Sequence, residues 1–129
     1  MFLSQRERGK ETGGQALTGP VTVPGDRVGA YVEGERREMA VYAPGGYHWV
    51  PALGDEVLVL KAGERGERPC VVAAAMGEAK LEPGEVLLSA NGTSILLGRD
   101  GEVRISGEVR VDGALLVNGR PVMTAPGEG

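Results

Sequence analysis

The single histidine of this chain, His48, stands between two aromatic residues in the stretch GGYHWVP. An imidazole can act as a general base or bind a metal ion, but both roles need further ligands or a partner group close by. The chain has no second histidine, and no cysteine or carboxylate stands at ligand spacing beside His48. We therefore predict no metal at this position, and we interpret Tyr47, His48 and Trp49 as part of a long loop that either packs on its own domain or contacts a protein partner.

The other reactive side chains also lack the spacing of an active site. Asp55 and Glu56 are adjacent, so on a strand they would point to opposite faces and could not act together on one substrate. Arg65 and Arg68, in the stretch GERGER, could hold an anion, but the default interpretation of this stretch is a solvated loop. Cys70, the only cysteine, lies in PCVVAAA and is expected to be a buried small side chain. We predict no catalytic residue, no cofactor and no enzymatic activity.

Composition favours β structure. The 129 residues include 22 glycines and 8 prolines against 1 Trp, 3 Tyr and 1 Phe, while 41% of residues are hydrophobic. The formal net charge is −4 with both signs interspersed, so nucleic acid is not expected as a partner, because phosphate binding needs clustered Lys and Arg. No apolar stretch approaches the roughly 20 residues of a membrane-spanning helix, and the N-terminus has no apolar core typical of a signal peptide.

Five short strands are predicted between residues 17 and 76. Alternating apolar residues place Val21 and Val23 on one face of the first strand, and Val28 and Ala30 on one face of the second. The stretches REMAVYA, DEVLVLKAG and RPCVVAAAM complete the set. Five short strands without a helical period are typical of a small barrel such as the OB-fold, and an SH3-like barrel is an open alternative.

A repeat of six residues marks the C-terminal part, with glycines at 101, 107, 113 and 119. Apolar residues alternate with polar ones between these glycines, which is the pattern of short strands with one buried face. Four repeats are too few for a hexapeptide solenoid, which needs several stacked coils. Three copies wound around one axis would instead bury the apolar positions together. The predicted threefold core consists of Val103, Ile105, Val109, Val111, Leu115 and Val117.

The predicted fold class is therefore all-β, with an N-terminal OB-fold-like five-stranded barrel followed by a short, intertwined, trimeric, triple-stranded β-helix. Within the stretch that precedes the repeats, Asn91 and Gly92 are predicted to form the tight turn of a hairpin. The predicted organisation is a flexible arm at 1–16, the barrel at 17–76, a linker at 77–84, a β-helical shaft at 85–124 and a frayed C-terminus at 125–129.

Two segments carry a resemblance to a known family. They are VYAPGGYHWVPALGDEVLVLKAG, where an aromatic and glycine-rich loop leads through P-x-x-G-D into an apolar strand, and GEVLLSANGTSILLGRDGEVRISGEVRVDGALLVNG. In this order they resemble the central spike proteins of contractile phage tails, the Mu-type baseplate spike family, which is related to the P2-type baseplate assembly protein V and to the VgrG spikes of type VI secretion. The resemblance covers residues 17–120.

This resemblance implies a non-enzymatic homotrimer that docks under the tail hub and helps to puncture a cell envelope, which it touches only transiently. The expected location is the baseplate of a virion or of a phage-tail-like particle, after synthesis in the host cytoplasm. Many such spikes end in a His-x-His tip that binds iron, but the sequence here ends in VNGRPVMTAPGEG, so no metal is carried over. The shaft is also short, so either it penetrates little or a separate spike-tip protein caps it. The alternative function is an OB-fold module that binds single-stranded nucleic acid or glycan through Tyr47 and Trp49.

Overall fold

The computed structural model describes residues 16–123, and within this range the protein contains strands and no helix. It divides into two compact units, Met1–Gly77 and Glu78–Gly129. The predicted arm at 1–16 and the predicted frayed end at 125–129 lie outside the described residues, except for Ala16, which begins the first strand. Across the described part of the chain, there is no helix of the length and apolarity that crossing a membrane requires.

The first unit is a closed five-stranded barrel. Its strands are β1 (Ala16–Val23), β2 (Val28–Tyr31), β3 (Glu35–Val41), β4 (Glu56–Ala62) and β5 (Arg68–Ala74). They are hydrogen-bonded in the order β1-β2-β3-β5-β4, and β1 closes the barrel because it pairs with both β2 and β4. All neighbours are antiparallel except β3 and β5, which run parallel. The prediction of an all-β protein with an OB-fold-like five-stranded barrel is confirmed.

The barrel core is built almost entirely from aliphatic side chains. Its fully buried members are Val21, Val28, Ala30, Val32, Met39, Val57, Val59 and Val71. Cys70 is also buried, as predicted, at 7% exposure. The alternation of apolar and polar residues identifies most of this core, because neighbouring residues of a strand point to opposite faces.

One predicted core residue is wrong. Val23 was expected to share the face of Val21, yet Val21 is 2% exposed and Val23 is 44% exposed. The register between β1 and β2 shifts between these two residues, which pair with Ala30 and Gly29 respectively. Such an irregularity breaks the period of two, so the second valine no longer points into the barrel.

A second irregularity lies in β3. Residues Val28 and Ala30 of β2 pair with Met39 and Arg36, so β3 carries one extra residue in this interval. The chain accommodates the extra residue at Glu38, whose φ is positive, 57°, a value that few non-glycine residues adopt. Met39 thereby stays in the core at 2% exposure. The bulge thus leaves Glu38 exposed and keeps its neighbour in the interior.

The second unit contains shorter strands. They are β6 (Val86–Ala90), β7 (Thr93–Leu97), β8 (Val103–Ser106), β9 (Leu116–Val117) and β10 (Arg120–Pro121). Strands β6, β7 and β8 form an antiparallel sheet in sequence order, and β9 pairs with β10. Asn91 and Gly92 join β6 to β7 with φ values of 50° and 86°, as a two-residue hairpin turn requires. The predicted hairpin is confirmed.

The four six-residue repeats, which begin at glycines 101, 107, 113 and 119, do not each form a strand within one chain. The first contains β8, but residues 107–112 form no strand, and the third and fourth fold back on each other as β9 and β10. Asn118 and Gly119 reverse the chain there, with φ values of 50° and 80°. A strand needs a hydrogen-bonded neighbour, and no described residue supplies one to 107–112. The triple-stranded β-helix therefore stays a prediction.

Candidate functional site

The sheet of the second unit carries one continuous apolar face. In the register of the sheet, Leu97 lies between Val86 and Val103, and Ile95 lies between Leu88 and Ile105. Residues directly opposite each other on neighbouring strands project from the same face. We call this surface the apolar face; its members are Val86, Leu88, Ile95, Leu97, Val103 and Ile105.

No residue of the second unit up to Met123, the last one described, covers the apolar face. The exposed fractions of its six members run from 40% for Ile95 to 58% for Val103. No described residue of this unit is buried. A three-stranded sheet becomes stable when its apolar face packs against something, so this sheet lacks the cover that it needs.

The opposite face of the same sheet has a different chemistry. It combines two leucines, Leu87 and Leu96, with a row of three serines at 89, 94 and 106. Arg104 also lies on this face, and its Nη2 atom is 3.0 Å from Glu102 Oε1. Hydroxyl and charged groups remain satisfied in water, so only the apolar face calls for a partner surface.

The structure divides the predicted threefold core. Val103 and Ile105 lie on the apolar face, whereas Val109, Val111, Leu115 and Val117 lie outside the three-stranded sheet. All six are between 46% and 59% exposed in the single chain. Their burial in a threefold core stays a prediction.

The other four members of the apolar face, in β6 and β7, are not among the core residues predicted from the sequence. The signal was present, because the Asn91–Gly92 turn fixes the register of the hairpin. That register places Leu88 opposite Ile95 and Val86 opposite Leu97.

The predicted contact loop belongs to the long connection between β3 and β4. Trp49 is half-buried and packs against the barrel core, whereas Tyr47 is 57% exposed and His48 is exposed. Tyr47 and Trp49 also line a shallow depression of about 450 Å³, together with Tyr42 and Pro44. Trp49 therefore has a packing role, and Tyr47 and His48 present the accessible surface of this loop.

Asp55 organises the end of the same connection. Its Oδ2 atom accepts a hydrogen bond from the backbone N–H of Ala52 at 2.9 Å, and the N–H of Gly54 donates to the carbonyl of Val21 at 2.9 Å. Gly54 and Asp55 thus belong to a turn that leads into β4. Among residues 16–123, no three His, Cys, Asp or Glu side chains are grouped closely enough to hold a metal ion.

Comparison with models of known protein families found no match, and comparison with curated proteins found no similar sequence.

Proposed function

We propose that this protein is the central spike of the baseplate of a contractile phage tail or of a phage-tail-like injection particle, acting as a homotrimer without enzymatic activity. The single observation that supports the proposal is the uncovered apolar face. An exposed apolar surface that lacks internal cover is typical of a protein interface. In the proposed assembly, three copies of the sheet enclose their apolar faces around a common axis.

The energetics favour an interface that is larger than the apolar face alone. Full burial of an aliphatic side chain contributes roughly 1.5–3 kcal/mol, so six half-exposed ones would contribute about 5–9 kcal/mol per chain. Association costs about 4–15 kcal/mol in lost translational and rotational freedom. Four more apolar residues of the six-residue repeats would raise the free energy gained by burial by about two thirds. They are Val109, Val111, Leu115 and Val117. We therefore include them in the proposed threefold core, as a triple-stranded β-helix requires.

The proposed role is mechanical. A spike must transmit an axial load without unfolding, and strands shared between chains resist this because opening one strand breaks contacts to its neighbours. The five-stranded barrel would dock under the tail hub, with Tyr47 and His48 among its contacts. The β-helical shaft would point toward the cell envelope, and a separate tip protein would cap it.

Light scattering of the purified protein tests the proposal. Three copies of the 13.4 kDa chain correspond to a mass of about 40 kDa, and negative-stain images should show a tapered threefold rod. A monomer at micromolar concentration would contradict the proposal. The alternative, a module that binds single-stranded nucleic acid or glycan, predicts quenching of Trp49 fluorescence during titration with oligonucleotides, whereas a spike predicts no change.

A further inference from the structure

A cleft opens in the barrel where β3 and β5 separate. The two strands are paired only at Ala40 with Cys70 and at Val41 with Val71. Before this point, β3 pairs with β2 and the start of β5 pairs with β4, so their N-terminal ends diverge. The resulting cleft has a volume of about 410 Å³, and the buried side chains of Met39 and Cys70 form part of its lining.

Three arginines from different parts of the sequence line this cleft. Arg27 precedes β2, Arg37 lies in β3 and Arg68 begins β5. The Nη1 atom of Arg27 donates a hydrogen bond to the carbonyl of Glu38 at 3.2 Å, which uses one of the five N–H donors of that guanidinium. This hydrogen bond ties Arg27 to the bulge at Glu38, which lines the same cleft.

The other two guanidinium groups also keep free donors. Arg37 Nε lies 3.5 Å from Glu35 Oε2, an exposed contact that involves one nitrogen. Within residues 16–123, Arg68 has no carboxylate oxygen within the 4.0 Å of an ion pair. Three arginines thus line one cleft, and most of their N–H donors have no partner among residues 16–123.

Two carboxylates line the same cleft, and one of them is held by its own turn. Glu67 Oε2 accepts a hydrogen bond from the backbone N–H of Arg65 at 3.0 Å, and its carboxylate packs against Gly63. Glu38 is the other. Glu67 keeps its negative charge in this turn, so three guanidinium groups and two carboxylates leave the lining of the cleft with one excess positive charge.

We propose that this cleft binds an oxyanion, the phosphate or carboxylate group of a small ligand. Guanidinium groups recognise such groups through paired, charge-assisted hydrogen bonds. The volume lies within the range of about 300–1,000 Å³ for small-molecule sites, and the cleft offers apolar contacts for the body of a ligand. Arg68 lines this cleft together with Arg27 and Arg37, and it also lines a separate shallow depression with Arg65, where the sequence suggests an anion. Glu64 and Glu67 border that second depression, so its two arginines are matched by two carboxylates.

Calorimetric titration of the full chain with pyrophosphate, at constant ionic strength, tests the proposal. We expect saturable binding of one pyrophosphate per chain. Arg68→Gln should weaken binding by roughly tenfold or more, because a hydrogen bond to a charged group contributes about 1.5–3 kcal/mol and 1.4 kcal/mol corresponds to tenfold. Arg68→Lys keeps the charge but loses the planar fork, so its affinity should lie between the two.

Arg99→Gln is the matched control, because Arg99 is an exposed arginine of the second unit, 3.7 Å from Glu82. It changes the net charge equally and should leave the affinity unchanged. Amide NMR shifts should localise binding at Ala40 and Cys70, which line the cleft. Arg37→Gln is the second test variant, and the Arg37 side chain is 72% exposed. The absence of saturable binding at millimolar pyrophosphate, or equal weakening by Arg68→Gln and Arg99→Gln, would overturn the proposal.

Discussion

Replacement of Ile95 by aspartate is the sharpest perturbation of the apolar face. Ile95 lies in the central strand of the sheet, between Leu88 and Ile105, and keeps 40% exposure in the single chain. In a monomer this position borders water, so the carboxylate would remain solvated. In a trimer the same position becomes interior, and three carboxylates would approach one another without water.

The two cases differ widely in free energy. Burial of the 40% of Ile95 that is exposed would contribute about 0.6–1.2 kcal/mol per chain, since full burial contributes about 1.5–3 kcal/mol. An unpaired carboxylate in a dry interior adds several kcal/mol for each ion. The expected loss for the trimer is therefore on the order of 10 kcal/mol, whereas a monomer would lose about 1 kcal/mol through the lower β-propensity of aspartate.

Light scattering and thermal denaturation provide the assay, with Ser89→Asp as the matched control on the opposite face of the same sheet. We expect the Ile95→Asp chain to elute at 13.4 kDa and the Ser89→Asp chain near 40 kDa, as for the unmodified protein. An Ile95→Asp variant that keeps both the mass of a trimer and an unchanged melting temperature would refute the assignment of this face to the interface.

Two further predictions concern the barrel, and both are measured by thermal or denaturant unfolding. Gly19→Ala should destabilise the barrel by about 1–3 kcal/mol, because the new Cβ would overlap the carbonyl oxygen of Tyr31. In the control variant Gly45→Ala the new Cβ meets nothing within 4 Å, so we expect little effect. Equal stability of the two variants would contradict the packing at Gly19. Met39→Ala should lower the free energy of unfolding by about 2–5 kcal/mol, because Met39 is 2% exposed. Met76 is 96% exposed, so Met76→Ala should lower it by less than about 0.5 kcal/mol. Similar losses for the two variants would show that Met39 does not pack in the core.

Much of the fold could be predicted because its signals are local. A period of two identifies strand faces, and residues such as Val28 and Ala30 are buried as their alternation indicates. The Asn91–Gly92 turn is equally local, since positive φ values are required at both positions and these residue types tolerate them. Val23 is the exception, because the bulge that exposes it depends on pairing with the partner strand and leaves no mark in the alternation.

The candidate sites depended on contacts between distant residues. The apolar face needs the register of three strands, and only the paired strands bring Val86 and Leu97 to the side of Val103. The arginine cleft likewise unites Arg27, Arg37 and Arg68, whose spacing in the sequence carries no common pattern. The sequence by itself determined the type of structure, short strands with one apolar side, because that depends on neighbours along the chain. Only the tertiary structure decided which of those sides meet and which remain uncovered, because strand register joins residues that the chain keeps far apart.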